Sequence, residues 1–205
     1  MLGSLSFILF SYLCGSIPFG LILTKAFGKK DIRKIGSGNI GATNVLRAGN
    51  KYLAITTLIL DVIKGYIPVI IALEYFSSTV YLAALFAMLG HIFPIWLKFK
   101  GGKGVATYLG IISALSAQLG FLFIFSWIIV SLIFKYSSLS SMFASLTVFV
   151  VNFMRETVIL NNVLLKTTIT VPDSQILFIF FILIIFTHRK NNQNLKNKKE
   201  NKIKI

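Results

Sequence analysis

Acidic residues are scarce in this chain: 6 Asp+Glu stand against 21 Lys+Arg, giving a net charge of +15 over 205 residues. A single cysteine, Cys14, excludes an internal disulfide and any cysteine-based zinc site. The two histidines, His91 and His188, are not grouped with carboxylates in a way that suits a catalytic metal. Neither opens an H-x-x-x-x-D acyltransferase box, because Trp96 and Gln193 stand five positions on. Charge of either sign is thin, at 13% of residues where a soluble domain has about 25%.

What fills the chain instead is apolar: 56% hydrophobic residues and a mean hydropathy of +0.81. These residues fall in long blocks, about 2–24, 52–73, 79–97, 104–117, 119–134, 138–154 and 174–187. At 1.5 Å per residue the first three are long enough, or nearly so, to cross about 30 Å of hydrocarbon. The uncharged stretch Val105–Phe134 reads either as one long helix or as two short ones hinged near Gln118–Leu119–Gly120. No Lys or Arg precedes the first block, so it lacks a signal-peptide n-region and reads as a retained span.

Charge placement chooses between topologies. With seven spans and the N-terminus outside, Lys25, Lys29, Lys30, Arg33, Lys34, Arg47, Lys51, Lys98, Lys100, Lys103, Lys135 and the basic tail share one face. The opposite loops then hold only Arg155 and Lys166, as the positive-inside rule requires. The expectation is an all-α, polytopic membrane bundle of about seven helices, with residues 1–189 as one transmembrane domain and the C-terminus cytoplasmic. In a soluble protein a charge of +15 would point to nucleic acid; here it marks topology. The Lys/Asn-rich tail 190–205 has no apolar period and is expected to be disordered or to lie on anionic lipid. No internal repeat is evident, which disfavours an inverted-repeat transporter.

Three segments could carry chemistry. The first, from Gly36 through Ser37, Gly38, Asn39, Gly41, Thr43 and Asn44 to Arg47, satisfies G-x-G-x-x-G. A dinucleotide fingerprint needs a strand and a βαβ unit, which do not fit between membrane helices. Its physical content still suits an anion: glycines let backbone amides approach, Ser, Asn and Thr add donors, and Arg47 can grip a phosphate bidentately. The bland alternative is a glycine-rich turn with a solvated arginine. The second, Gly101-Gly102-Lys103-Gly104, opens an apolar helix, where amides and a lysine make an anion site; Gly after Lys103 excludes a Walker A loop. It also reads as an ordinary positive-inside loop. In the third, His188 and Asn191 are three apart and share a helix face.

Asp61 and Lys64, three apart within a span, read as a structural pair, and His91 with Pro94 marks a polar, kinked segment without a legible role. Cys14 lies in the external half of its span, away from the basic loops, and is disfavoured as a nucleophile.

Together these segments resemble the bacterial acylphosphate:glycerol-3-phosphate acyltransferase family, small seven-span enzymes that begin phospholipid synthesis. The resemblance rests on GSIPFG (15–20), SGNIGATNVLR (37–47), DVIKG (61–65), GHIFP (90–94), KFKGGKGVAT (98–107) and HRKN (188–191), in order over nearly the whole chain. It implies attack of the glycerol 3-phosphate 1-hydroxyl on a long-chain acyl phosphate at the cytoplasmic face of the inner membrane. It further implies phosphate binding by Ser37, Arg47 and Lys103, with His188 and Asn191 completing the catalytic set. Gly38, Asn39, Thr43, Asn44, Gly101, Gly102 and Gly104 would line the substrates. No cofactor or metal is called for, since acyl phosphate is already activated and a substrate phosphate can take the hydroxyl proton. Functional coupling to the enzyme that makes acyl phosphate would be natural. One departure stands out: the family's third motif usually reads His-Arg-Glu-Asn, and Lys190 occupies the Glu position. A transporter or flippase for an anionic metabolite is the alternative of a different class, and a catalytically degenerate scaffold protein a third.

Overall fold

The structure, a computed structural model, describes residues 2–27, 31–161 and 172–203. All regular secondary structure among them is helical. The chain divides into two compact units, Met1–Ala114 and Leu115–Ile205.

In the first unit, α1 (Leu2–Ser16) and α2 (Phe19–Ala26) form one apolar segment bent by 42°. The break falls at Ile17–Pro18, where proline lacks the amide that a continuous helix would use. After a 3₁₀ turn, Ile32–Lys34, and the short α3 (Ala42–Arg47), α4 runs from Lys51 to Tyr75. Asn50 caps it, its side chain accepting from the Leu53 amide at 2.9 Å. Then come α5 (Val80–Ile92) and α6 (Val105–Leu115).

Small residues let these helices meet backbone to backbone. A Cβ on Gly15 would strike the Ala87 carbonyl of α5, and one on Gly90 the Tyr12 carbonyl of α1. Gly65 and Gly110 allow the same approach between α4 and α6, against Thr107 and Val62. In lipid, where apolar burial alone gives helices no reason to associate, such close packing is what joins them.

The second unit contains α7 (Ala117–Phe134), α8 (Ser137–Asn161), α9 (Ser174–Thr187) and α10 (Arg189–Lys196). Lys135, left-handed at φ 61°, turns α7 into α8, and Trp127 Nε1 donates to Ser141 Oγ at 3.1 Å across the pair. Asn152, buried in α8, donates to the Pro172 carbonyl at 2.8 Å and to Ser174 Oγ at 2.9 Å, fixing the start of α9. Outward-facing Phe121, Phe125 and Ile133 on α7 suit a lipid surroundings.

Among the described residues, four helical stretches are long and apolar enough to cross a membrane, or five if α1 and α2 are one bent span. Two shorter apolar helices, α6 and α9, complete the set of elements at the seven expected positions. The uncharged 105–134 stretch is two helices, broken at Ser116, whose φ of −161° and ψ of 114° are extended; the expected hinge at 118–120 lies two residues too late. The tail expected to be disordered instead carries α10. It also returns to the α7–α8 turn, where the Ile203 amide donates to the Lys135 carbonyl at 2.7 Å.

Candidate active site

The first loop rests on an apolar floor of Leu21, Ile32, Ile40, Val45 and Ala54, against which Leu97 also packs. Its central strut is Asn44, 2% exposed. Asn44 Nδ2 donates to the carbonyls of Ile32 (3.1 Å), Ile35 (2.9 Å) and Asn39 (2.8 Å), while Oδ1 accepts from the Ser37 amide at 2.9 Å. Asn39 Oδ1 in turn accepts from the Gly41 amide at 3.1 Å. Gly36 and Gly38 are left-handed, at φ 57° and 71°, so L side chains would be strained at both. A Cβ on Gly36 would also strike Asn44 Oδ1 and lie 3.7 Å from Arg47 Cδ. The bare glycine thus lets the Arg47 side chain pass close beside the Ser37 turn. Thr43 and Arg47 are four apart on α3 and share its face.

Asp31 caps the 3₁₀ turn and grips Arg33 with both carboxylate oxygens, at 3.0 Å to Nε and 2.7 Å to Nη2. That pair holds the Asp31 carboxyl well below the ordinary carboxylate range and raises the Arg33 guanidinium. Arg33 is therefore matched within its own loop.

The second loop folds against the end of α5. Lys98 and Phe99 are both left-handed, at φ 51° and 61°, and the Phe99 amide returns to the Pro94 carbonyl at 3.0 Å. The Gly101 amide donates to the Ile92 carbonyl (3.0 Å) and the Gly102 amide to the His91 carbonyl (3.1 Å). Those two amides thus serve the fold of the loop, and not an anion as the glycine pattern had suggested. A side chain on Gly101 would meet the His91 carbonyl, and one on Gly102 the His91 ring. Gly104, at φ 82°, then starts α6, with the Tyr108 amide returning to its carbonyl at 2.7 Å. Lys103 stands half-buried at that start.

Beneath this loop lies a polar cluster that the sequence did not disclose. His91 Nδ1 is 3.1 Å from Thr107 Oγ1 and 3.9 Å from Asp61 Oδ1. Asp61 Oδ1 meets Lys64 Nζ at 2.8 Å, and Lys64 Nζ donates to the Ile17 carbonyl at 2.6 Å, in the break between α1 and α2. The pairing of Asp61 with Lys64 was legible; its ties to three other elements were not, because the partners are distant in the chain. The cluster pins the α1–α2 break and both ends of the Gly101–Gly104 loop to α4.

In the second unit, His188 is 2% exposed at the junction of α9 and α10. Its Nδ1 lies 2.8 Å from the Ile184 carbonyl. A carbonyl only accepts, so Nδ1 carries a proton in this contact. Asn191, one turn on and 8% exposed, donates through Nδ2 to Glu200 Oε1 at 2.6 Å.

Known proteins resolve what this arrangement belongs to. A family model described as glycerol-3-phosphate acyltransferase matches residues 5–198. The chain belongs to the glycerol-3-phosphate acyltransferase family. It is 52% identical over 195 residues to the glycerol-3-phosphate acyltransferase of Pelagibacter ubique, covering 95% of each chain. With the Mesorhizobium japonicum enzyme of the same name it shares 46% identity over 96% of this chain and 94% of that one. Two crystal structures of PlsY (YgiH), an integral membrane glycerol 3-phosphate acyltransferase, superpose on it. The glycerol 3-phosphate form gives a TM-score of 0.87 at 34% identity, and the lysophosphatidic acid form 0.85 at 33%, each over 98% of this chain and 96% of that one. This acyltransferase is accordingly an integral membrane protein, and the family favours acyl transfer over the transporter reading.

Proposed function

We propose that the chain transfers a long-chain acyl group from acyl phosphate to the 1-hydroxyl of glycerol 3-phosphate. The ester C–O bond forms, the bond between the carbonyl carbon and the phosphate oxygen breaks, and lysophosphatidic acid and inorganic phosphate leave. The observation that carries this reading is the first loop: Asn44 holds the Ser37 amide, and the left-handed Gly36 leaves room for the Arg47 side chain beside that exposed turn. Ser37, Arg47 and Lys103 bind the phosphates of the two substrates, with Thr43 beside Arg47. His188 and Asn191 are assigned to the same reaction. Phosphate is a good leaving group, so fixed position and cationic stabilisation supply most of the catalysis. An oxygen of a substrate phosphate takes the hydroxyl proton. PlsY is known in a glycerol 3-phosphate form and a lysophosphatidic acid form, an acceptor and a product of this kind, which supports the assignment.

The topology that fits this chemistry has seven spans, the N-terminus outside, and the two basic loops at the cytoplasmic face of a bacterial inner membrane. The distribution of Lys and Arg supports it. Acyl phosphate, an amphiphile confined to the membrane, would pass to this enzyme from the one that makes it, by functional coupling.

Purified protein given palmitoyl phosphate and labelled glycerol 3-phosphate, without nucleotide or coenzyme A, should form labelled lysophosphatidic acid. A folded protein that forms none under these conditions, yet does so with an acyl thioester, would overturn the donor assignment.

A further inference from the structure

The buried Asp61–Lys64 pair of α4 touches the foundations of both loops of the first unit, one through each partner. Lys64 Nζ donates to the Ile17 carbonyl at 2.6 Å and lies 5.7 Å from the centre of the Phe19 ring, so it holds the start of α2. That helix is the base of the first loop: Leu21 belongs to its apolar floor, and a Cβ on Gly20 would strike the Ile40 carbonyl. Asp61 reaches the second loop. Its Oδ1 is 3.9 Å from His91 Nδ1, and the His91 ring fills the space beneath Gly102, where a Cβ would strike Nε2. The same Nδ1 meets Thr107 Oγ1 at 3.1 Å, in the first turn of α6, into which Lys103 leads.

A pair that only neutralised itself within the bilayer would need neither connection. Each loop keeps its own shape by local bonds, those of Asn44 in the first and of the Gly101 and Gly102 amides in the second. The separation of the loops is a different quantity, set by what lies between them. It matters because the reaction joins two phosphate-bearing substrates, and its rate depends on the distance and angle at which they meet. We infer that Asp61 and Lys64 are positioning residues for acyl transfer, a gauge that fixes the spacing between the Ser37–Arg47 segment and the Lys103 loop. This rests on the assignment of Ser37, Arg47 and Lys103 to the substrates' phosphates made above.

The test replaces the pair as a unit, Asp61→Leu together with Lys64→Met, in the full chain. Removing one partner would leave a buried charge uncompensated, whereas exchanging a whole buried pair for apolar side chains is neutral or stabilising. The thermal transition in detergent should therefore stay where it is or rise. Kinetics with palmitoyl phosphate and glycerol 3-phosphate should show kcat lowered roughly ten- to hundredfold, the cost of a misplacement of about 1 Å, with both KM values within about twofold of the wild type. Thr107→Val removes only the hydroxyl partner of His91, and kcat should fall about threefold with both KM values again held.

Wild-type kcat in the paired variant would overturn the inference while Arg47→Ala and Lys103→Ala remain impaired. A rise in one KM alone would tie the pair to a single loop and overturn it too. If the paired variant is less stable than the wild type, Thr107→Val decides, and wild-type kcat there overturns the inference. Wild-type rates in Arg47→Ala and Lys103→Ala would instead sink the phosphate assignment beneath it.

Discussion

The two regions that carry the proposed site residues are built on different principles. In the first unit, Ser37 and Lys103 sit on loops, and Arg47 at the end of the short α3 beside the first of them, in a shape that comes from backbone: left-handed glycines, carbonyls turned inward, and one asparagine tying four backbone groups. In the second, His188 and Asn191 ride on helix ends, one turn apart, with hydrogen bonds to the Ile184 carbonyl and to Glu200. A loop of this kind can bring donors from several directions onto one anion, at the cost of many fixed torsions. A helix end offers fewer directions but sets the spacing of its side chains without further help.

The sharpest way to break the comparison is to remove a cation from the loops. Arg47→Ala and Lys103→Ala should each lower kcat/KM by roughly a hundredfold or more, about 3 kcal/mol of charge-assisted bonding. Arg47→Lys should recover little of this, since an ammonium cannot reproduce the guanidinium fork. Near-normal rates in both alanine variants would place the phosphate site elsewhere. Asn44→Ala should come next, with stability falling by about 1–3 kcal/mol as carbonyls and the Ser37 amide lose their partner. Its activity should fall by roughly ten- to thirtyfold, and lowering the temperature should restore part of it if the loss is one of loop order. For the helix end, His188→Phe keeps an aromatic ring but removes both nitrogens; activity should fall about tenfold, with a smaller loss of stability than at Asn44. The smallest effect belongs to Asp31→Asn, at an exposed ion pair, where neither rate nor thermal transition at neutral pH should move measurably. Its pH dependence has a definite sign. The folded carboxyl is lowered, so its contribution is present above the ordinary value near 3.9 and fades only as pH falls toward the folded one. On acid titration any small difference between wild type and variant should therefore shrink below that value and not grow.

Much of this was legible in the sequence because the relevant forces are local. Apolar blocks set the positions of the helices, and the i,i+3 spacing put His188 with Asn191 and Asp61 with Lys64. The bend at Ile17–Pro18 has a proline to announce it. The break at Ser116 has none, and the glycine at 120 drew the expectation two residues along the chain. The glycines at 101 and 102 were legible as necessary but not in what they are necessary for: they yield room to His91 and Ile92, which only the packing of the loop against α5 reveals. The links from His91 to Thr107 and Asp61, and from Lys64 to Ile17, join residues 16 to 47 positions apart, beyond the reach of any periodicity. The ordered tail was missed because composition reports charge, and its docking depends on one glutamate among the lysines.

The Asp61–Lys64 pair also bears on how the protein is made. Each charge alone at the centre of a helix would oppose entry into the bilayer by about 3 kcal/mol. Lying one turn apart on the same face of α4 and already in contact at 2.8 Å, they can cross as a closed ion pair before α5 and α6 have been synthesised. Helices made later can then add His91 and Thr107 to a polar pair that is already closed.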